Sequence, residues 1–95
     1  MDALKQETAE QTVVAIVEDL VQDWGLNLEE DVSGRTMLVK NLTFGSVDII
    51  QLCVALEQCY GRKLGFQDLL MVDGSYVGDL SIGQVGAFVE SKLKA

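Results

Sequence analysis

The sequence predicts an all-α fold, a small four-helix bundle of three main helices and one short one with a long first loop. Three observations predict it. Apolar residues recur at helical spacing in three separate segments. Each of those segments carries one apolar stripe, so each needs the others to cover it. There is no proline, so glycines do the punctuating between them. With 95 residues the chain is expected to be a single domain over 1–95. Small domains bury a lesser share of their surface, so the core should be thin.

The first helix is expected from about 7 to 24, in "ETAEQTVVAIVEDLVQDWG". Val13, Ile16, Val17, Leu20, Val21 and Trp24 recur at helical spacing, and Glu7, Glu10, Glu18, Asp19 and Asp23 lie largely off that stripe. Acids near its start suit the positive end of a helix, and Gly25 is a natural stop. Residues 25–45, "GLNLEEDVSGRTMLVKNLTFG", form a connection longer than compact domains usually contain unless it has a task. Leu26, Leu28, Val32, Met37, Leu38, Leu42 and Phe44 are its candidate anchors in the core.

The second helix is expected over 46–60. At 100° per residue, Ile49, Ile50, Leu52, Cys53, Leu56 and Tyr60 share a broad apolar face. Asp48, Gln51, Ala55 and Gln58 share the opposite one, flanked by Val47 and Val54, and Gly61 ends the helix. "FQDLLM", 66–71, predicts a brief helix, and "VDGSYVGD" a loop. The last helix opens at Ser81, with Gln84 three residues on as a capping box. Ile82, Val85, Val89 and Leu93 form its stripe with Phe88 beside them, and Lys92 and Lys94 suit its negative end. Gly83 and Gly86 each weaken it by roughly 1 kcal/mol relative to Ala, which close packing against a neighbour would explain.

Composition excludes several classes of function. The formal net charge is −8, with only seven Lys and Arg, against the clustered cations that nucleic acid requires. The acidity points to basic protein partners, or simply to solubility. Apolar residues make up 48 % of the chain, too many for a disordered acidic tail. The absence of histidine removes the commonest general base and metal ligand. On one helix, Cys53 and Cys59 stand about 9 Å apart by rise alone, beyond the ~7 Å reach of a disulfide. They read as small core residues rather than a metal or redox site. No apolar signal segment and no run near ~20 apolar residues is present. A cytoplasmic, monomeric protein with no membrane span is expected.

"FGSVDIIQLCVALEQCYG" places a lone serine, Ser46, where the loop ends and the second helix begins. By position alone Ser46 is most simply an N-cap, worth about 1 kcal/mol. The same place suits a covalent phosphate, because a helix start offers unpaired N–H groups and a positive dipole end. The surrounding residues favour the second reading. "LVKNLTFGSVDIIQLCVALEQCYG" resembles the core motif of acyl carrier proteins and related carrier domains. The match comprises Leu38, Leu42, Ser46, Val47, Asp48, Leu52, Ala55, Leu56, Glu57 and Tyr60, without a gap, and the helix order agrees over 7–94.

That resemblance implies a bundle of acyl-carrier type and a carrier that catalyses nothing. A phosphopantetheinyl transferase would move 4′-phosphopantetheine from coenzyme A onto Ser46. The thiol of that arm would then hold acyl or aminoacyl groups as thioesters for loading and processing enzymes. The apolar helix behind Ser46 would pack the bundle and offer a lining for the cargo. Partners are expected on the outer face of this helix, at Val47, Asp48, Gln51, Val54, Ala55 and Gln58. Gly45 replaces the usual Asp before the serine, Lys40 and Asn41 stand where fatty-acid carriers have acids, and Gln51 and Gln58 replace acids on the recognition helix. These departures point to a specialised polyketide, peptide-hybrid or lipid pathway. The start at Met1 and the short C-terminus fit a free-standing carrier, and an excised domain would look the same. Two rival readings stand beside this one: a non-carrier helical adaptor that binds through Val47, Val54 and Ala55, and an enzyme with Ser46 or a cysteine as nucleophile, for which no activating base is evident.

Overall fold

A computed structural model describes residues 8–25 and 31–94. The expected helix start at residue 7 and the anchoring of Leu26 and Leu28 lie outside the described residues. The elements in order are α1 (Ala9–Val21), α2 (Ser46–Tyr60), α3 (Gln67–Leu70), β1 (Met71–Val72), β2 (Ser75–Tyr76) and α4 (Ile82–Lys94). The chain is thus mostly helical, with one small antiparallel strand pair.

α1 begins in a capping box. Thr8 Oγ1 accepts the Gln11 N–H at 3.1 Å, and Gln11 Oε1 accepts the Thr8 N–H at 2.9 Å. Its buried line is Ala9, Val13, Val17 and Val21, with Ile16 and Leu20 half-buried beside it. The helix stops at Val21, short of the expected 24. Trp24 sits in the turn that follows, its N–H bonded to the Val21 carbonyl and its ring 5.4 Å from that of Phe44. Trp24 therefore covers the loop rather than filling the helix stripe, and Gly25 takes the left-handed conformation at φ 70°.

The long connection is hydrogen-bonded to the segment that leads into α4. The Leu38 N–H donates to Leu80 O, the Ile82 N–H to Thr36 O and the Gly83 N–H to Gly34 O, all at 2.8–2.9 Å, around an antiparallel bridge between Met37 and Ser81. Asp79 adds a clamp: its carboxylate accepts the N–H groups of Val39, Lys40 and Leu80 at 2.8–2.9 Å. Asn41 Oδ1 accepts the Met37 N–H at 2.7 Å and closes the turn from within. So held, the connection buries Leu38, Leu42 and Phe44 as expected, with Val32 half-buried.

Two expectations need correction. Residues 71–76 are a hairpin, not the end of a helix and a loop: Met71 pairs with Tyr76 and Val72 with Ser75. Asp73 and Gly74 have φ of 54° and 82°, as a two-residue Asp-Gly turn of the primed kind requires. Among the described residues the fold is therefore mostly helical, with four helices and a small strand pair that the expected all-α bundle did not include. The second correction concerns Ile50, which is 56 % exposed. The core side of α2 runs through Ile49, Leu52, Cys53, Leu56 and Tyr60, and Ile50 stands about 100° round the helix from Ile49.

α4 opens with the expected box, Ser81 N–H to Gln84 Oε1 at 2.8 Å and Gln84 N–H to Ser81 Oγ at 3.1 Å. Ile82, Val85, Gly86 and Val89 are buried. At Gly86 the backbone of α1 comes so close that a Cβ would lie 2.7 Å from Glu10 Cα and 2.9 Å from Glu10 N. Glu90 then reaches across to accept the Ala9 N–H at 3.0 Å, which satisfies one of the unpaired donors at the start of α1.

Gly86→Ala should therefore destabilise the protein. Overpacking against backbone costs about 1–3 kcal/mol, and here the upper part of that range applies because a helix backbone cannot swing aside. The gain in helix propensity returns only about 1 kcal/mol. Urea unfolding should give a net loss of about 1–2 kcal/mol; equal or higher stability would contradict the close approach.

Asp79→Asn supplies a second test, with a pH signature. Burial, the largest single influence, pushes the Asp79 pKa up; the N–H donors of Val39, Lys40 and Leu80 and the charge of Lys40 together outweigh it and hold the carboxyl below its ordinary range. A carboxyl depressed in the folded state stabilises above its unfolded pKa, and that stability fades as pH falls through the folded value. The variant should lose about 1–2 kcal/mol at neutral pH, and the gap to the parent should close in acid. A pH-independent difference would mean that the ionised clamp contributes nothing.

Candidate functional site

The candidate site forms where the clamped connection enters α2. Phe44 and Leu42 are buried on either side of Thr43, whose backbone is left-handed at φ 57°. For a β-branched residue that is a strained conformation. It is held there by bonds from Thr43 N–H to Val39 O at 2.9 Å and from Phe44 N–H to Leu38 O at 3.0 Å. The chain then leaves Phe44 outward, and Gly45 and Ser46 are exposed.

Ser46 is not the cap of α2. Gly45 holds that position, with extended backbone at φ −92° and ψ 179° and no side chain to offer. Capping falls to Asp48, whose Oδ2 accepts the Gly45 N–H at 2.8 Å. Ser46 is thus the first residue of the helix, and among the described residues no group bonds its hydroxyl. The sequence alone did not distinguish these two arrangements.

Beside Ser46 lies an apolar cavity of about 410 Å³. Phe44, Ile49 and Ile50 form one wall and Leu70, Val77 and Leu80 another, with Ser46 part of the lining. Asp79 also borders it, but its carboxylate is committed to three backbone donors. Tyr76, 78 % exposed on β2, contributes a ring at the surface. The second wall comes from the end of α3 and the segment after the hairpin, and the hairpin that brings them together stands where the sequence predicts only a loop. The missed signal was Asp73-Gly74 between the apolar pairs Met71-Val72 and Tyr76-Val77.

The expected partner residues share one face of α2. Val47 and Val54 are 65 % and 46 % exposed, and Gln51 and Gln58 are exposed with them. Asp48 and Ala55 are half-buried at its margin, and the Asp48 carboxylate is occupied by the cap. Glu57 has a structural task as well: its Oε2 accepts the Leu64 N–H at 2.9 Å, and its carbonyl receives the N–H groups of Gly61 and Arg62, which turns the chain back after α2.

Both cysteines are free. Cys53 is half-buried, and burial first, then the Glu57 charge, pushes its thiol up to about 11. Cys59 is exposed and is not the core residue expected. Among the described residues there is no group of three or more His, Cys, Asp and Glu placed to hold a metal ion, and no helix is long and apolar enough to cross a membrane.

Because the thiolate is the reactive form, Cys59 should be labelled rapidly by a thiol reagent at pH 8 while Cys53 stays slow in the folded protein. One fast equivalent, abolished by Cys59→Ser, is expected. Two fast equivalents would refute the burial of Cys53.

No family model, curated protein or solved structure gives a significant match to this chain.

Proposed function

We propose that the chain is an acyl or aminoacyl carrier of acyl-carrier fold type, which tethers intermediates as thioesters on a 4′-phosphopantetheine arm attached to Ser46. The observation that carries the proposal is an exposed, unbonded hydroxyl at the first residue of a 15-residue helix, beside an apolar cavity of about 410 Å³. The carrier-like motif around Ser46 supports the same reading. So does Asp48, because a neighbour that caps the helix leaves the serine available.

In the modification, Ser46 Oγ attacks the pantetheine-bearing phosphorus of coenzyme A. An O–P bond forms, the phosphoanhydride bond breaks, and adenosine 3′,5′-bisphosphate leaves. The hydroxyl proton passes to a base on the phosphopantetheinyl transferase, since this chain contains no histidine and Asp48 is engaged in the cap. The resulting phosphodiester carries one negative charge at the positive end of α2, an exposed arrangement worth about 0.3–1 kcal/mol. The cavity offers an apolar cargo shelter within reach of its own attachment point. The chain itself performs no catalysis. It would act as a cytoplasmic monomer on which loading and processing enzymes converge, in a specialised polyketide, peptide-hybrid or lipid pathway.

A second reading is favoured by one observation, the exposure of Val47 and Val54 on the outer face of α2. It makes the chain a non-carrier adaptor. Modification separates the two.

Incubation with coenzyme A and a broad-specificity transferase should raise the intact mass by one phosphopantetheine, mapped to the peptide containing Ser46. Ser46→Ala should block it completely. Ser33, Ser81 and Ser91 are already engaged in local hydrogen bonds, and Ser75 lies in the hairpin, so none should substitute. An unmodified parent protein, or continued modification of Ser46→Ala, would leave the adaptor.

A further inference from the structure

A second hollow, of about 320 Å³, lies at the far end of α2 and is lined by Val54, Glu57, Gln58, Arg62 and Lys63. Its charge is opposite to that of the molecule, which is −8 overall. Arg62 and Lys63 are exposed, and neither is ion-paired among the described residues. Glu57, the one acid lining the hollow, turns its carboxylate to the Leu64 N–H. Lys92, by contrast, pairs with Asp68 at 3.3 Å and lies over the Phe88 ring. The negative end of α2 accounts for a cation just past Gly61. It does not account for a second one, nor for an apolar side chain, Val54, left exposed in the same hollow.

We infer that this end of α2 docks an acidic segment of a partner protein, one that sets an apolar side chain against Val54 and carboxylates against Arg62 and Lys63. Charge complementarity selects this occupant. A basic segment would meet two cations at close range, and a long polyanion would be repelled by the rest of the surface. An acidic segment meets two adjacent cations here, so the local pair orients a partner that the net charge of the molecule, −8, repels. Docking at this end also leaves Ser46, about two turns from Val54 and about four from the end of α2, uncovered. The inference does not depend on what Ser46 carries.

The test uses the full, unmodified chain and two synthetic helical peptides of equal length. Each presents one leucine, flanked in the first by four glutamates and in the second by four lysines. Titration followed by amide NMR shifts should show the glutamate peptide moving the signals of Val54, Gln58, Arg62 and Lys63, and the lysine peptide moving none of them. Each exposed ion pair contributes modestly, so Arg62→Gln with Lys63→Gln should weaken binding roughly 2- to 30-fold. Both residues are exposed, and the fold of the variant is checked by its unperturbed core methyl signals. The charge-reversed variant, Arg62→Glu with Lys63→Glu, should exchange the preference of the two peptides. Shifts centred elsewhere, equal response to both peptides, or no shifts at millimolar peptide would overturn the inference. So would binding to phosphatidylglycerol vesicles that is lost in the charge-reversed variant, since the surface would then be a lipid site. Ser46→Ala should bind the glutamate peptide like the parent, so a negative result leaves the carrier reading where it stands.

Discussion

The clamp between the first connection and the residues before α4 is the constraint on which the rest depends. Without it, residues 31–45 would be a long loop with no secondary structure of its own and a large entropy to lose. Three backbone bonds and the Asp79 carboxylate tie it to 79–83. Those bonds place Leu38 and Leu42 in the core, and Leu38 in turn accepts the Phe44 N–H. Phe44 then forms both a wall of the cavity and a partner for Trp24. The position of Ser46 therefore follows from a carboxylate more than thirty residues further along the chain.

The same segment links the site to the helix packing. Gly83 and Gly34 are joined by a backbone bond, and a Cβ on Gly83 would lie 3.1 Å from the Gly34 carbonyl. One turn later Gly86 admits the backbone of α1. The two glycines cost α4 intrinsic stability, and both are used where another chain segment must come close. α1, the clamped connection and α4 thus form one packed unit. α2 lies against it through Leu52 and Leu56 and leaves its outer face and first residue in solvent.

Much of this was legible in the sequence, for physical reasons that differ by element. The buried lines of α1 and α4 follow from their 3.6-residue period, and the Ser81–Gln84 box from its spacing. Gly61 stops α2 in a left-handed conformation, as its place after Tyr60 implied. The hairpin was missed because its strands are two residues each, too short for an alternating pattern to emerge, although Asp73-Gly74 carried the turn. Ile50 was misplaced because a helix wheel cannot tell a core-facing residue from one that borders a cavity. The clamp was illegible for a deeper reason. Asp79 and its donors at 39 and 40 are bonded across some forty residues, and no local period encodes such a pair.

The division of labour at the start of α2 shows how an exposed serine is kept available. A serine at the cap position would satisfy a backbone donor, and its modification would cost the helix that bond, about 1 kcal/mol. Here glycine occupies the cap, and the Asp48 carboxylate, two residues after the serine, braces the helix start by accepting the Gly45 N–H. Glycine at a cap costs only a few tenths of a kcal/mol relative to a good capping residue, and the acid at the third helical position also favours the helix dipole. The helix start is thereby stabilised without the serine hydroxyl. A group attached at Ser46 would change neither the cap nor the core beneath it, because Leu42 and Phe44 anchor the chain before Gly45, and Ile49 and Leu52 anchor it after Asp48. A modification at Ser46, as proposed above, would thus be decoupled from folding: the packing on both sides of residues 45–48 holds the helix start whether or not the hydroxyl carries a group.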